Sequence, residues 1–315
     1  MTAFAFVFPG QGSQAVGMLD AWGDHPAVRE AIQEASDALG EDLGRLIHEG
    51  PKEALALTTN TQPVMLLAGV AAWRAWRAEG GATPAVLAGH SLGEYSALVA
   101  AGVLTLSQAA PLVRLRAAAM QEAVPVGTGA MAAILGLASE QVLQGCQQAQ
   151  AQLPAGEVVE AVNFNDPVQT VIAGTKAGVE KGCEVLKQLG AKRALPLPVS
   201  APFHSSLMKP AAEALRQRLA ELTLAAPQIP VVNNIDVAVC DQADAIRDAL
   251  YRQAFGPVRW VECVRAIAAR GVGRLVECGP GKVLAGMTRR IDPNLEGLAL
   301  YDPATLAEVR AALAA

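Results

Sequence analysis

An α/β architecture built on a parallel sheet, with a smaller strand-and-helix subdomain inserted into it, is the fold class this sequence predicts. Three observations carry that prediction. Short apolar, β-prone runs alternate with helical stretches from residue 4 to 122 and again beyond residue 210, the pattern of a parallel sheet covered by helices on its faces. From 130 to 199 the order changes to strand, helix, two strands, helix, strand. With 315 residues, 52 % hydrophobic and 17 % charged, the chain has the length and apolar content for a large core shared by about two domains.

Phe4-Ala5-Phe6-Val7-Phe8 is an apolar strand, broken by the turn-rich Pro9-Gly10-Gln11-Gly12-Ser13-Gln14. Residues 26 to 40 and 61 to 79 carry helical periodicity; in the second, Val64, Leu67, Ala68, Ala71 and Ala72 share a face. Ala85 to Ala88 reads as a short buried strand, and Gly93 to Ala101 and Ser107 to Glu122 as helices. The insert reads as strand Ala130 to Leu137, helix Ser139 to Ala151, strands Val158 to Asn163 and Gln169 to Ala173, helix Lys176 to Leu189 and strand Arg193 to Val199. That order is ferredoxin-like. Boundaries fall near Val126 and Ser200, which makes 1–126 with 200–315 the large subdomain and 127–199 the small one. Helix Pro210 to Leu222, strand Val231 to Asn234, helix Val258 to Ala269, strand Arg274 to Cys278, the turn Gly279-Pro280-Gly281 and a last helical stretch complete the large subdomain.

Composition excludes several classes. Against 30 acidic residues stand 25 basic ones, a net charge of −5, and nonspecific nucleic-acid binding needs a dense basic footprint instead. No run approaches the roughly 20 apolar residues of a membrane span. The opening MTAFAFVFPGQGSQ has no basic n-region and no cleavage site, so it reads as a strand and not a signal peptide. The five cysteines, at 146, 183, 240, 263 and 278, are odd in number, widely spaced and without a CxxC pair. Neither disulfides nor a metal site is expected, and the setting is a reduced cytoplasm.

The chemistry starts at Gly89-His90-Ser91-Leu92-Gly93. Alone, G-x-S-x-G also fits a serine that merely caps a helix. Here an apolar strand precedes it and a helix-prone run follows, the context of a nucleophile elbow that lifts the serine Oγ clear of the sheet. The following helix points its N–H groups at the serine, and the Leu92 N–H is placed for an oxyanion. A serine needs a base, and the chain has four histidines. His25, in Gly-Asp-His-Pro, reads as an exposed turn, and His48 as a cation closing a short helical run. His90 adjoins Ser91 and points away from it across the turn. His204, in a loop between the last insert strand and a helix, remains. For a third triad member, Asp166, Asp236 and Glu262 are candidates, each more simply read as a turn or surface charge; a dyad whose imidazole is held by a backbone carbonyl is an equally good reading. In the loop at 9 to 14, Gln11 is a candidate second oxyanion donor, and the Lys-Ser/Thr pair of a phosphate loop is missing.

Taken together, Phe8-Pro9-Gly10-Gln11-Gly12-Ser13-Gln14, Gly89 to Tyr95, Arg116 through Gln121, Phe203-His204-Ser205, Arg252-Gln253 with Pro257-Val258, and Glu277 through Leu284 resemble the malonyl-CoA:acyl carrier protein transacylases of fatty-acid synthesis, from about residue 4 to about residue 290. The resemblance implies an α/β-hydrolase-like core with a ferredoxin-like insert. It implies ping-pong transfer from malonyl-CoA to the phosphopantetheine thiol of acyl carrier protein, without a cofactor, through a malonyl ester of Ser91 with His204 as base. It further implies an oxyanion hole from the backbone of Gln11 and Leu92, and a Gln253 main chain that orients the histidine, which favours the dyad. Arg116 becomes a clamp for the malonyl carboxylate, since a guanidinium matches a carboxylate with two parallel hydrogen bonds; read on its own it is an exposed helix residue like Arg114. Met120, four residues on, shares its face. Phe203 resembles the residue that crowds out branched extender units in malonyl-selective polyketide relatives. Lys187, Lys192, Arg193, Lys282, Arg289 and Arg290 are candidate contacts for an acidic carrier protein. The competing readings are a discrete polyketide-pathway acyltransferase, a serine thioesterase or other hydrolase, and a noncatalytic binding protein; a hydrolase has no use for Arg116, and an intact Ser91 and His204 argue against the last.

Overall fold

The computed structural model describes residues 3–199 and 201–314. The chain opens with strand β1 (Ala3–Phe8), helices α1 (Pro26–Leu39), α2 (Leu43–Glu49), α3 (Lys52–Ala56) and α4 (Thr58–Ala78), strand β2 (Val86–Gly89), and helices α5 (Gly93–Ala100) and α6 (Leu106–Glu122). Strand β3 (Gly129–Leu135), helix α7 (Ser139–Gln150), strands β4 (Val159–Asp166) and β5 (Gln169–Thr175), helix α8 (Lys176–Gln188) and strand β6 (Arg193–Pro196) follow. Then come α9 (Lys209–Glu221), β7 (Val231–Val232), α10 (Ala243–Phe255), α11 (Trp260–Ala268), β8 (Val272–Cys278), α12 (Val283–Ile291), β9 (Glu296–Leu300) and α13 (Pro303–Ala314). The fold is α/β, with a parallel five-stranded sheet in the order β7-β2-β1-β8-β9 and a separate antiparallel four-stranded sheet in the order β4-β5-β3-β6.

β1 lies in the middle of the parallel sheet and is buried on both faces, which is why it reads as an unbroken apolar run. Phe4, Phe6 and Phe8 face α4, where Phe6 meets Trp73 and Trp76 at ring-centroid distances of 5.6 and 5.3 Å. Burial of each such ring contributes about 1.5–3 kcal/mol. Ala5 and Val7 face the other way, into a core with Trp260, Leu284 and Met287. The second sheet has its own core, in which Ala132, Ile134 and Ile172 meet Val142 and Cys146 of α7 and Leu186 of α8. The antiparallel sheet is tied by main chain to the segment between α10 and α11: the Phe164 N–H donates to the Val258 carbonyl at 2.9 Å, and the Val258 N–H to the Val162 carbonyl at 2.8 Å.

The predicted elements are present, with shifts that have physical causes. Val258 is committed to β4, so α11 starts at Trp260 and not at 258. Only Val231 and Val232 of the predicted strand at 231–234 pair with β2; Asn234 turns away to bind the serine turn, as described below. β6 is shorter than predicted, ending at Pro196. α10 and β9 were not anticipated. The insert boundary at Ser200 lies outside the described residues. All five cysteines are free. Among the described residues no helix is long and apolar enough to cross a membrane, and no cluster of three or more His, Cys, Asp or Glu is placed to hold a metal.

At the end of β2 the chain passes through the tightest contact in the sheet. A Cβ on Gly93 would lie 2.0 Å from the Phe8 carbonyl oxygen, and one on Gly89 would lie 1.9 Å from the Gly93 carbonyl carbon. Both neighbours are backbone and cannot swing aside. Gly93→Ala is therefore expected to cost at least about 1–3 kcal/mol, the range for overpacking a closed site. Urea denaturation checks this; an unchanged midpoint would mean that the turn has room to spare.

Candidate active site

Ser91 sits directly after β2 with φ 53°, in the left-handed region that a side chain adopts only under constraint. Its neighbours supply that constraint. The Ser91 N–H donates to Asn234 Oδ1 at 2.8 Å, Asn234 Nδ2 donates to the Gly89 carbonyl at 2.7 Å, and Gln253 Nε2 donates to the Ser91 carbonyl at 3.0 Å. His204, also left-handed at φ 65°, reaches the serine from the loop before α9. Its Nε2 lies 2.7 Å from Ser91 Oγ and its Nδ1 lies 2.9 Å from the Gln253 carbonyl. A carbonyl only accepts, so Nδ1 carries the hydrogen and Nε2 offers its lone pair to the serine hydroxyl.

Among the described residues no carboxylate completes a triad. Asp166 is buried and paired with Arg290, Asp236 is held by both terminal nitrogens of Arg252, and Glu262 pairs with Arg259. Of the reading of Asp166 as a turn or surface charge, the surface part is corrected, since it is 2 % exposed, while its Oδ1 does accept the Val168 N–H in the β4–β5 turn at 2.9 Å. The reading of His25 as an exposed turn is also corrected, since its ring packs edge-on against Trp22 and faces Glu79 at 3.5 Å. His48 stands at the end of α2, 2.9 Å from Asp20, and His90 turns away from Ser91 to meet Asn165 Oδ1 at 2.8 Å.

Arg116 is not an exposed helix residue but is 2 % exposed. From α6 its guanidinium donates to Gln62 Oε1 at 2.7 Å, to Gln253 Oε1 at 3.1 Å and to Ser91 Oγ at 3.2 Å, and it lies over the Tyr95 ring at 5.4 Å. Among the described residues it has no carboxylate within ion-pair distance, and its Nε has no partner. A buried cation satisfied only by neutral acceptors is costly. Arg114, two residues earlier, instead pairs with Glu41 and is half-buried.

A cavity of about 140 Å³ lies over these groups, lined by Gln11, His90, Ser91, Arg116, Met120 and His204 from one side and by Met131, Asn163, Leu197 and Val199 from the stretch 131–199, with Phe203 between them. That is room for roughly five waters, the size of a short acyl group. A wider groove of about 790 Å³ along α7 and β4 also reaches His204; a third, of about 700 Å³, lies between α7 and α11 and touches neither Ser91 nor Arg116. Met120 and Leu92 are buried. Neither the Leu92 nor the Gln11 backbone N–H donates to a protein acceptor among the described residues. The Gln11 side chain is tied to Thr58 at 2.7 Å and to Gln62 at 3.2 Å. Sequence reasoning missed Asn234, Gln62 and Glu94, which touch the others from β7's end, α4 and α5. Glu94 lay within a quoted motif, but nothing local announces that a carboxylate three residues past the serine points inward.

Electrostatics follow from burial. The His204 imidazole is pushed down to about 3, by desolvation first and the Arg116 charge second, and burial pushes the Glu94 carboxyl up to about 7. The His204 ring is therefore neutral at neutral pH, the form a base needs.

Residues 5–291 match the family model of the acyl transferase domain, and the chain is accordingly an acyltransferase. It is 54 % identical over 307 residues, 97 % of this chain and 98 % of the other, to the malonyl CoA-acyl carrier protein transacylase of Salmonella typhimurium. The crystal structure of the acyl-carrier-protein S-malonyltransferase of Burkholderia pseudomallei superimposes with a TM-score of 0.95 at 64 % identity, covering 98 % of this chain and 99 % of that one. A malonyl-transacylase solved in complex with its holo type II PKS acyl-carrier protein is 51 % identical, with a TM-score of 0.95 over 99 % of this chain and 100 % of that one. The chain belongs to the malonyl CoA-acyl carrier protein transacylase family.

The charge balance yields a titration experiment. The His204 ring signals should stay those of a neutral imidazole from pH 8 down to about 5, where an ordinary histidine takes up its proton. Removing the nearby cation with Arg116→Ala should move the His204 titration upward, because a positive neighbour disfavours imidazolium. NMR of the histidine ring protons reads both; an ordinary titration in the unmodified chain would refute the buried, cation-facing environment.

Proposed function

We propose that this chain moves the malonyl group of malonyl-CoA to the phosphopantetheine thiol of acyl carrier protein, supplying fatty-acid elongation. The observation that carries it is the buried Arg116 guanidinium beside the Ser91–His204 pair, 3.2 Å from Ser91 Oγ and without a carboxylate partner. Such a pocket favours an acyl group that ends in a free carboxylate.

Ser91 Oγ attacks the thioester carbonyl as its proton passes to His204 Nε2. The Gln253 carbonyl holds Nδ1–H and steadies the imidazolium. The oxyanion is taken by the N–H groups of Gln11 and Leu92. Collapse of the tetrahedral intermediate breaks the C–S bond, His204 returns its proton to the CoA sulfur, and a malonyl ester of Ser91 remains. The carrier thiol then attacks that ester by the same steps in reverse, with His204 taking its proton. Thioester exchange conserves the activated bond, so these residues supply all the chemistry and no cofactor or metal is invoked. Met120 and Phe203 shape the acyl pocket, and the groove that reaches His204 admits the thioester tail. Lys187, Lys192, Arg193, Lys282 and Arg289 are exposed and remain candidate carrier contacts; Arg290 is the weaker candidate because Asp166 already holds it.

The same reading extends to architecture. We take 1–126 with 200–315 as an α/β-hydrolase-like subdomain and 127–199 as a ferredoxin-like one, supported by the parallel order of the first sheet and by β4-β5-β3-β6 with α7 and α8 sharing one core. A cytoplasmic location suits the free cysteines. The alternative of a discrete polyketide-pathway acyltransferase is favoured by the 51 % identical relative solved with its type II PKS carrier.

Intact-protein mass spectrometry tests the reading. Brief mixing with malonyl-CoA should add one malonyl group, Ser91→Ala should abolish the gain, and carrier protein should discharge it. CoA release without an adduct or an acceptor would instead indicate a hydrolase. Arg116→Ala should lose malonyl transfer by on the order of a hundredfold or more, since a buried charge-assisted pair is lost, while acetyl transfer survives or rises. Unchanged malonyl kinetics in that variant would refute the clamp.

A further inference from the structure

Glu94, in the first turn of α5, is 2 % exposed and has no part in the steps above. Its Oε2 accepts the Asn234 N–H at 2.9 Å and Gln253 Nε2 at 3.0 Å. We propose that Glu94 is a positioning residue for acyl selectivity: its carboxylate fixes the Gln253 amide in the orientation that presents Oε1 to Arg116, and so aims the guanidinium at the substrate's free carboxylate. The proposal rests on the malonyl-transfer reading and deepens it.

The two ends of a glutamine amide have the same shape, and only their partners decide which end is which. On one side of Gln253 stand two acceptors, Glu94 Oε2 and the Ser91 carbonyl; on the other stands a cation, Arg116. Turning the amide over would set oxygen against both acceptors and an NH₂ group against the guanidinium. Of the two acceptors Glu94 is the one that can ionise, and its bond to the amide is the stronger in the charged form. Gln253 thus divides its work. Its main-chain oxygen, fixed by α10, holds His204, and its side chain, fixed by Glu94, holds Arg116. A defect at Glu94 should therefore strike the carboxylate clamp harder than the base.

The test compares the rates of Ser91 acylation by malonyl-CoA and by acetyl-CoA, read by intact mass, in Glu94→Ala, Glu94→Gln and Glu94→Asp, with thermal unfolding alongside. Glu94→Ala should slow malonyl acylation on the order of tenfold to a hundredfold, as for an orphaned buried donor, and acetyl acylation by a smaller factor, so that the malonyl-to-acetyl ratio falls. Glu94→Gln, which keeps the volume and removes the charge, should lower the ratio in the same direction and decides the matter if the alanine variant does not fold. Glu94→Asp should restore part of it. An unchanged ratio, or both rates falling by one factor, would overturn the proposal, as would unfolding of all three variants, which would make Glu94 a residue of the fold alone. Absence of a malonyl adduct in the unmodified chain would overturn the proposed function itself and this role with it.

Discussion

The interaction on which the site depends is the burial of one positive charge without an ion pair. Taking a guanidinium out of water costs several kcal/mol unless other groups replace its hydration. Here the replacements are neutral: the carbonyl ends of Gln62 and Gln253, the Ser91 hydroxyl and the face of Tyr95. Each is held in turn, Gln62 by its place on α4, Gln253 by Glu94 and the Ser91 carbonyl, Ser91 by Asn234. The same charge depresses the basicity of His204. A bound carboxylate would offset the charge of Arg116 and lift that depression, so substrate recognition and the strength of the proposed base are linked through one side chain.

Backbone strain is the second constraint. Ser91 and His204 both sit in left-handed conformations, each costing on the order of 1–3 kcal/mol. Hydrogen bonds hold the Ser91 main chain on both sides and fix the His204 ring against the Gln253 carbonyl. The serine turn is fixed from β7's end and from α10, elements more than 140 residues away in sequence. Two of the buried amides at the site, those of Asn234 and Gln253, thus hold the backbone of the serine turn.

Much of this was legible in the sequence, and the exceptions share a cause. β1 and β2 announced themselves because strands buried on both faces are unbroken apolar runs, and the insert because its six elements follow one another with clear breaks. The Ser91 turn was legible because its two glycines are local necessities. His204 was found by having few competitors. Arg116 was visible only through resemblance: on a helical wheel nothing separates it from Arg114, and burial of one and half-exposure of the other is decided by packing of α6 against α4 and α9. β9, four half-exposed residues and the buried Leu300 at the sheet edge, carries too weak an alternation to read. α10 has an amphipathic pattern but follows an irregular stretch that masks its start. Asn234, Gln62 and Glu94 were missed because their importance lies in partners far along the chain, which no local pattern encodes.

The bonds between Val258 and β4 have a consequence for the insert as a separate object. β4 is the outermost strand of its sheet, and a bare strand edge is a template for pairing with other chains. Val258 covers part of that edge with its own main chain. The antiparallel sheet is thus more than an appendage of the parallel one. Cut free, it would bring an unpaired edge into solution, and its sociability would then be directed at its own copies. Tying β4 to the segment before α11 helps keep the pocket over Ser91 walled on both sides and, with the same two hydrogen bonds, keeps the smaller sheet solitary.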